Sequence, residues 1–143
     1  MRRKIDIYLP TLYHFYPYIL VVDAFAYLGS VINKEGDTEE DVKSRVQKAR
    51  GAFIKLKNIW KSEQLKTETK IRIFNTNVKT VLLYGSETWR TTKAACKRLQ
   101  VLINRSLRTI LKLQWSNKTT NEDLGEKAKQ RTVEQELRFR RWR

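Results

Sequence analysis

The sequence predicts a mainly α-helical fold: a short N-terminal strand or hairpin, a three-helix bundle, and one or two short C-terminal helices. Three observations predict it. Apolar residues recur at steps of three and four through residues 42–60, 71–82 and 99–111. Threonines stand where helical stripes begin, at Thr38, Thr67, Thr92 and Thr132. β-branched and aromatic residues crowd together in "LVVDAFAYLGSVI", residues 20–32, which reads as one or two short strands. At 143 residues with 41% apolar content, the chain makes one domain with a modest core.

Taken in order, residues 1–21 form an irregular segment, because Pro10 and Pro17 oppose any helix through them. Residues 22–37 hold the strand and then "NKEGD", a turn in which Gly36 is free to take positive φ. Thr38 followed by Glu39, Glu40 and Asp41 starts the first helix, with a hydroxyl cap and acids at the positive end of the helix dipole. Its apolar face is Val42, Val46, Ala49, Phe53, Leu56 and Trp60. Lys43, Arg45, Lys48, Arg50, Lys55, Lys57 and Lys61 populate the remaining surface, with no acid between 42 and 61.

Thr67 caps the second helix, whose stripe is Ile71, Phe74, Val78, Val81 and Leu82. It ends in "LLYGSETW", residues 82–89, where Tyr84 continues the apolar pattern and Gly85 lets the helix loosen. The third helix runs from about Thr92 to Leu113 on Leu99, Leu102, Ile103, Leu107, Ile110 and Leu111. Lys93, Lys97, Arg98, Arg105, Arg108 and Lys112 cover the rest, again without an acid between 91 and 115. Residues 38–115 are thus the bundle, and 116–143 hold a short helix and a last one opened by Thr132 with Gln135. The last segment, "ELRFRRWR", ends without a glycine or cap and reads as truncated, or as a disordered arginine tail. Tryptophans at 60, 89, 115 and 142 each close a segment of similar length. They fill core edges on this reading; stacking on nucleobases would require exposure.

Composition removes several function classes. A lone Cys96 and a lone His14 exclude an intramolecular disulfide and the Cys/His metal clusters, and no cofactor is expected. Cysteine usage fits an intracellular compartment, nucleus or cytoplasm. "MRRK", an apolar run and "AFA" imitate a secretion signal, but Asp6, Pro10, His14 and Pro17 interrupt the run, which is also too broken to span a membrane. The acidic clusters at 39–41 and 122–123 sit in first turns with no histidine beside them, so neither reads as an acid–base pair. No glycine-rich phosphate loop or hydrolase elbow occurs around Ser86. Cys96 lies between Lys93 and Lys97, which would lower its pKa, yet it has no partnered histidine and reads as structural. Catalytic residues are therefore not expected.

The formal charge of +15, from 30 Lys and Arg against 15 Asp and Glu, points to a polyanionic partner. A helical run of about 20 residues spans ~30 Å, long enough to follow several phosphates spaced ~1.7 Å per charge along a duplex. Nothing in the spacing reads bases, so RNA, DNA or an RNA–DNA duplex would be held by its backbone. The residues selected for that contact are Lys43, Lys48, Arg50, Lys55, Lys57, Arg98, Arg105, Arg108 and Lys112.

Three strings carry a resemblance: "FAYLGSVINKEGDTEEDVKSRVQKARGAFIKLKNIW", "TKIRIFNTNVKTVLLYGSETW" and "RLQVLINRSLRTILKLQW". Together, over roughly residues 22–142, they resemble the C-terminal part of the endonuclease–reverse transcriptases of non-LTR (LINE-type) retrotransposons. "F-x-Y-L-G-S-x-I" is similar to the family's strand at the end of the polymerase palm, and "LLYGSETW" to its string on the second helix beyond. The resemblance implies that the bundle is the thumb, which grips the primer–template duplex while the palm does the chemistry. The palm's aromatic-x-Asp-Asp metal motif is missing, since no two aspartates are adjacent, and two-metal phosphoryl transfer needs that pair. The apurinic-type endonuclease domain, the Cys/His elements and the "x-W-x-G-H" continuation after "FRRW" are missing too. Residues 1–19 do not match what precedes the "YLGS" strand and read as foreign to the family. The expectation is a non-catalytic fragment that binds nucleic acid without sequence preference. Two alternatives stand beside it: a degenerate reading frame without activity, and a helical protein-interaction module that recruits a partner or self-associates through its palm-facing surface.

Overall fold

A computed structural model describes residues 24–27, 30–33, 38–114 and 118–142, the first two stretches by their backbone alone. The irregular segment 1–21, the turn at Gly36 and Trp115 lie outside the described residues. The described chain is mainly helical. Backbone pairing sets Ala24–Tyr27 (β1) antiparallel to Ser30–Asn33 (β2), with Phe25 opposite Ile32.

Thr38–Lys55 (α1) opens on its acidic turn and buries Val42 and Ala49, with Val46 and Phe53 packed at the core's edge. The single helix expected through Trp60 is broken at Leu56, after which Lys57–Lys61 (α2) follows. Trp60 supplies the reason. Its indole N–H donates to the Phe53 carbonyl over 2.8 Å, its ring stacks on Phe53 at 5.0 Å, and both need the chain to turn back.

Thr67–Phe74 (α3), a π turn over Asn75–Lys79 and Thr80–Leu82 (α4) form the second helical segment. Thr67 is not its cap: the cap position is Lys66, which makes no side-chain bond there. The π turn coincides with a run of side chains that bond backward onto the backbone. Thr76 Oγ1 donates to the carbonyls of Arg72 and Ile73, Asn77 to Ile73, and Thr80 Oγ1 to Thr76. Such bonds compete with the regular ladder and loosen it. The segment ends at Gly85, whose φ of 74° lies in the left-handed region that a side chain disfavours. A single 3₁₀ turn, Ser86–Thr88, then delivers Trp89 into the core.

Lys93–Ile110 (α5) is capped by Thr92, whose hydroxyl accepts from the Ala95 N–H over 3.1 Å. It buries Leu99, Leu102, Ile103, Leu107 and Ile110, and stops three residues before the expected end. The Leu113 N–H returns to the Arg108 carbonyl and the Lys112 N–H to that of Thr109, with Lys112 at a φ of 51°. This double bond pattern closes a helix C-terminus. Asn121–Lys127 (α6) and Val133–Arg141 (α7) each begin with a complete capping box, Thr120 with Asp123 and Thr132 with Gln135. Leu124, Val133 and Leu137 turn inward and join the same core.

Three cations expected at the surface or left unplaced lie inside. Arg45 is buried, 3.9 Å from Asp41, with its guanidinium 4.6 Å over the half-exposed ring of Tyr84. Lys70 donates to the carbonyls of Trp60 and Ser62, closing the end of α2. Lys79 bonds Gln130 at 3.0 Å and lies 3.7 Å from Glu136, and burial is the main cause holding its pKa below the usual lysine value. Nor is the arginine-rich end a loose tail. Arg140 donates to the Leu83 carbonyl over 3.3 Å and Arg141 to that of Trp89 over 3.0 Å. "LLYGSETW" is therefore held from one side by α1 and from the other by α7. No described helix is long and apolar enough to cross a membrane.

Candidate nucleic-acid interface

Side chains four and seven apart share a helix face. On α1, Lys43, Val46, Gln47 and Arg50 form such a row, and on α5 Ala94, Lys97, Arg98, Val101, Leu102 and Arg105 form another. The two helices pack side by side, and these rows become the walls of one groove of about 620 Å3. Its lining is apolar at Val46, Ala94, Val101 and Leu102 and carries five cations: Lys43, Arg50, Lys97, Arg98 and Arg105. No acid lines it.

A second groove follows α5 toward its C-terminus and shares Val101 and Arg105 with the first. Arg108, Lys112 and Lys118 add charge there, and again no acid lines it. From Arg98 to Arg108 the helix rises about 15 Å, so the two grooves make a continuous basic track. Val101 stands at their junction, 58% exposed.

Two acids at the rim hold parts of this track in place. Glu39, on the first turn of α1, lies 2.6 Å from Arg98 and 3.7 Å from Lys43. Glu63 lies 3.5 Å from Lys112. All five side chains are about half exposed or more, so these pairs are screened by solvent and are worth little to stability. Arg108 is tied more firmly, donating to the Thr119 carbonyl over 2.9 Å and to Asn121 Oδ1 over 3.2 Å. It fixes the approach to α6 as well as lining the groove.

The nine cations selected from the sequence thus separate. Lys43, Arg50, Arg98 and Arg105 meet in the first groove, and Arg108 and Lys112 line the second. Lys48, Lys55 and Lys57 are exposed but line neither groove. At ~100° per residue, Lys48 and Lys55 project roughly 120–140° round α1 from Lys43. Lys97 and Lys118 were passed over as contacts; Lys97 was legible as the residue one turn before Val101 and two turns before Arg105.

Cys96 is buried at the far side of α5. Burial, and then Glu134, push its thiol above the ordinary value, so the neighbouring lysines do not activate it. Among the described residues, no group of three or more His, Cys, Asp or Glu side chains is placed to hold a metal ion.

A family profile described as a domain of unknown function (DUF6451) matches residues 52–84, from the second half of α1 through Tyr84. No curated protein and no solved structure matches the chain.

Proposed function

We propose that this chain is a non-catalytic fragment of a LINE-type reverse transcriptase, a thumb-like bundle that grips the sugar–phosphate backbone of RNA, DNA or a hybrid duplex without reading sequence. The observation that carries the reading is the groove between α1 and α5, with five cations from two helices and no acid in its lining. Cations on facing walls sum their fields between them, which raises the local concentration of a polyanion and speeds its arrival. The cations of the groove offer phosphates ion pairs, and Gln47 is the one residue of its lining with both a donor and an acceptor for a base edge, which suits contact mainly with the backbone. The resemblance of the three sequence strings supplies the family and the thumb assignment.

Charge reversal tests the groove against charge in general. Lys97→Glu with Arg105→Glu reverses two cations of the α5 wall, whereas Lys48→Glu with Lys55→Glu makes the same change of charge elsewhere on the bundle. Fluorescence anisotropy with a labelled 20-base-pair duplex at 0.1 M salt reads the difference. The groove pair loses roughly tenfold or more in affinity, and the other pair loses several times less. Equal losses would mean that net charge, and not this groove, holds the duplex.

A further inference from the structure

The three described tryptophans divide sharply by environment. Trp60 and Trp89 are buried and bonded through their indole N–H groups, whereas Trp142 is 83% exposed, more than any other exposed large apolar side chain among the described residues. Its ring lies outside the core cluster.

Its surroundings are cationic. Trp142 and Arg138 stand on the ridge between two hollows. One is lined by Arg131, Gln135 and Phe139, and there the Arg131 guanidinium lies 4.5 Å over the Phe139 ring. The other is lined by Lys93, Arg141, Thr91, Thr92, Leu137 and the thiol-bearing Cys96, with Glu134 as its acid. Lys93 and Cys96 also line a surface that reaches Lys97 and Val101, and through these it meets the basic groove. An exposed indole, an arginine-stacked phenyl ring and three further cations, Lys93, Arg138 and Arg141, therefore lie around the start of α5, on a surface that meets the groove at Lys97 and Val101 and also carries Glu122, Glu126 and Glu134.

We infer that Trp142 is a stacking platform for an unpaired nucleobase, with Arg138 and Arg141 placed for the phosphates on either side of it. Paired bases hide their faces within the duplex; an unpaired base offers its π face, and an indole accepts any of the four. The site therefore selects single-stranded segments, or the frayed end of a duplex, without selecting sequence. It rests on the nucleic-acid reading of the groove and adds a second contact of a different kind. An amphipathic helix bearing Trp, Phe and Arg also suits an anionic membrane surface. Continuity with the groove favours the nucleic acid, and the membrane becomes an arm of the test.

The test compares the wild-type chain with Trp142→Ala and Trp142→Phe, binding a 20-nucleotide single strand of thymidines and a 20-base-pair duplex under one salt condition. Trp142→Ala lowers single-strand affinity roughly 5- to 100-fold and leaves duplex affinity within twofold; Trp142→Phe retains most of the single-strand affinity. Indole fluorescence of the wild type is quenched by the single strand, and that quenching is lost in Trp142→Phe. Unchanged single-strand affinity in Trp142→Ala, or an equal loss on both ligands, overturns the stacking site while leaving the groove intact. No binding of either ligand by the wild type removes both. A blue-shifted Trp142 emission on vesicles of phosphatidylserine and phosphatidylcholine, with no quenching by the single strand, assigns the ridge to a lipid surface and overturns the inference.

Discussion

Trp89 donates its indole N–H to the Asp41 carboxylate over 2.8 Å, joining the end of "LLYGSETW" to the first turn of α1 across 48 residues of sequence. Both partners are buried, and the other oxygen of Asp41 lies 3.9 Å from the Arg45 guanidinium. The acid read from sequence as serving the helix dipole is thus also the anchor of the second helical segment.

Removing the indole donor leaves a buried carboxylate short of a bond. Trp89→Phe is expected to cost about 2–4 kcal/mol, from the lost charged hydrogen bond and the smaller ring. Asp41→Asn and Trp89→Phe together cost less than the sum of the two alone, with a coupling of about 0.5 kcal/mol or more by urea unfolding. Strict additivity would show that the bond does not form in solution.

Arg140 ties α7 to the same string through the Leu83 carbonyl and also lies 3.3 Å from Glu136. Arg140→Ala is expected to destabilise by about 1–2 kcal/mol, with Arg140→Lys recovering part of it. If the C-terminal arginines were a solvated tail, both variants would unfold at the wild-type urea midpoint.

Lys129 holds a φ of 49°, with the Gln130 N–H returning to the Gly125 carbonyl and its own N–H to that of Glu126. The left-handed region costs an ordinary side chain about 1 kcal/mol, and glycine avoids that cost while losing more chain entropy on folding. Lys129→Gly is therefore expected to raise stability by up to about 1 kcal/mol, read as a higher thermal midpoint. A lower midpoint would contradict the left-handed cap.

The pH dependence follows from Cys96. Burial raises its folded-state pKa above the ordinary 9.0, so the folded chain holds the proton more tightly than the unfolded one. The contribution to stability is full below 9.0 and is lost as pH rises through the folded value. Cys96→Ala is expected to lose less stability than the wild type above that pH. Alkylation by iodoacetamide at pH 8 should run roughly tenfold or more slower than for a free thiol, because the thiolate is scarce and covered. Rapid alkylation would restore the lysine-activated reading.

Much of the fold was legible because it is written locally. The stripes ending in Phe74, Val78 and Leu82, and in Leu99, Ile103 and Leu107, repeat at helical spacing, and each of these residues is buried. The boxes at Thr120 and Thr132 need only neighbours three residues away. What was not legible depends on residues distant in sequence. Arg45 is buried because Tyr84 comes to lie beneath it, and Lys79 because Gln130 and Glu136 reach it from the far end of the chain. Lysine and arginine patterns carry no mark of such pairing, so Arg45 was read as surface and Lys79 was left unplaced. The groove was half legible. The acid-free runs lie on the two helices that line the groove, but only their side-by-side packing separates Arg50, in the groove, from Lys48 and Lys55, outside it.

The salt dependence of duplex binding tests the central claim most directly. With five cations in the first groove meeting phosphates, the plot of log K against log salt concentration should fall with a slope of roughly −4 to −5, and Lys97→Ala with Arg105→Ala should make it shallower by about 2. A wild-type slope near zero, or a slope that the double substitution leaves unchanged, would contradict a phosphate grip between α1 and α5.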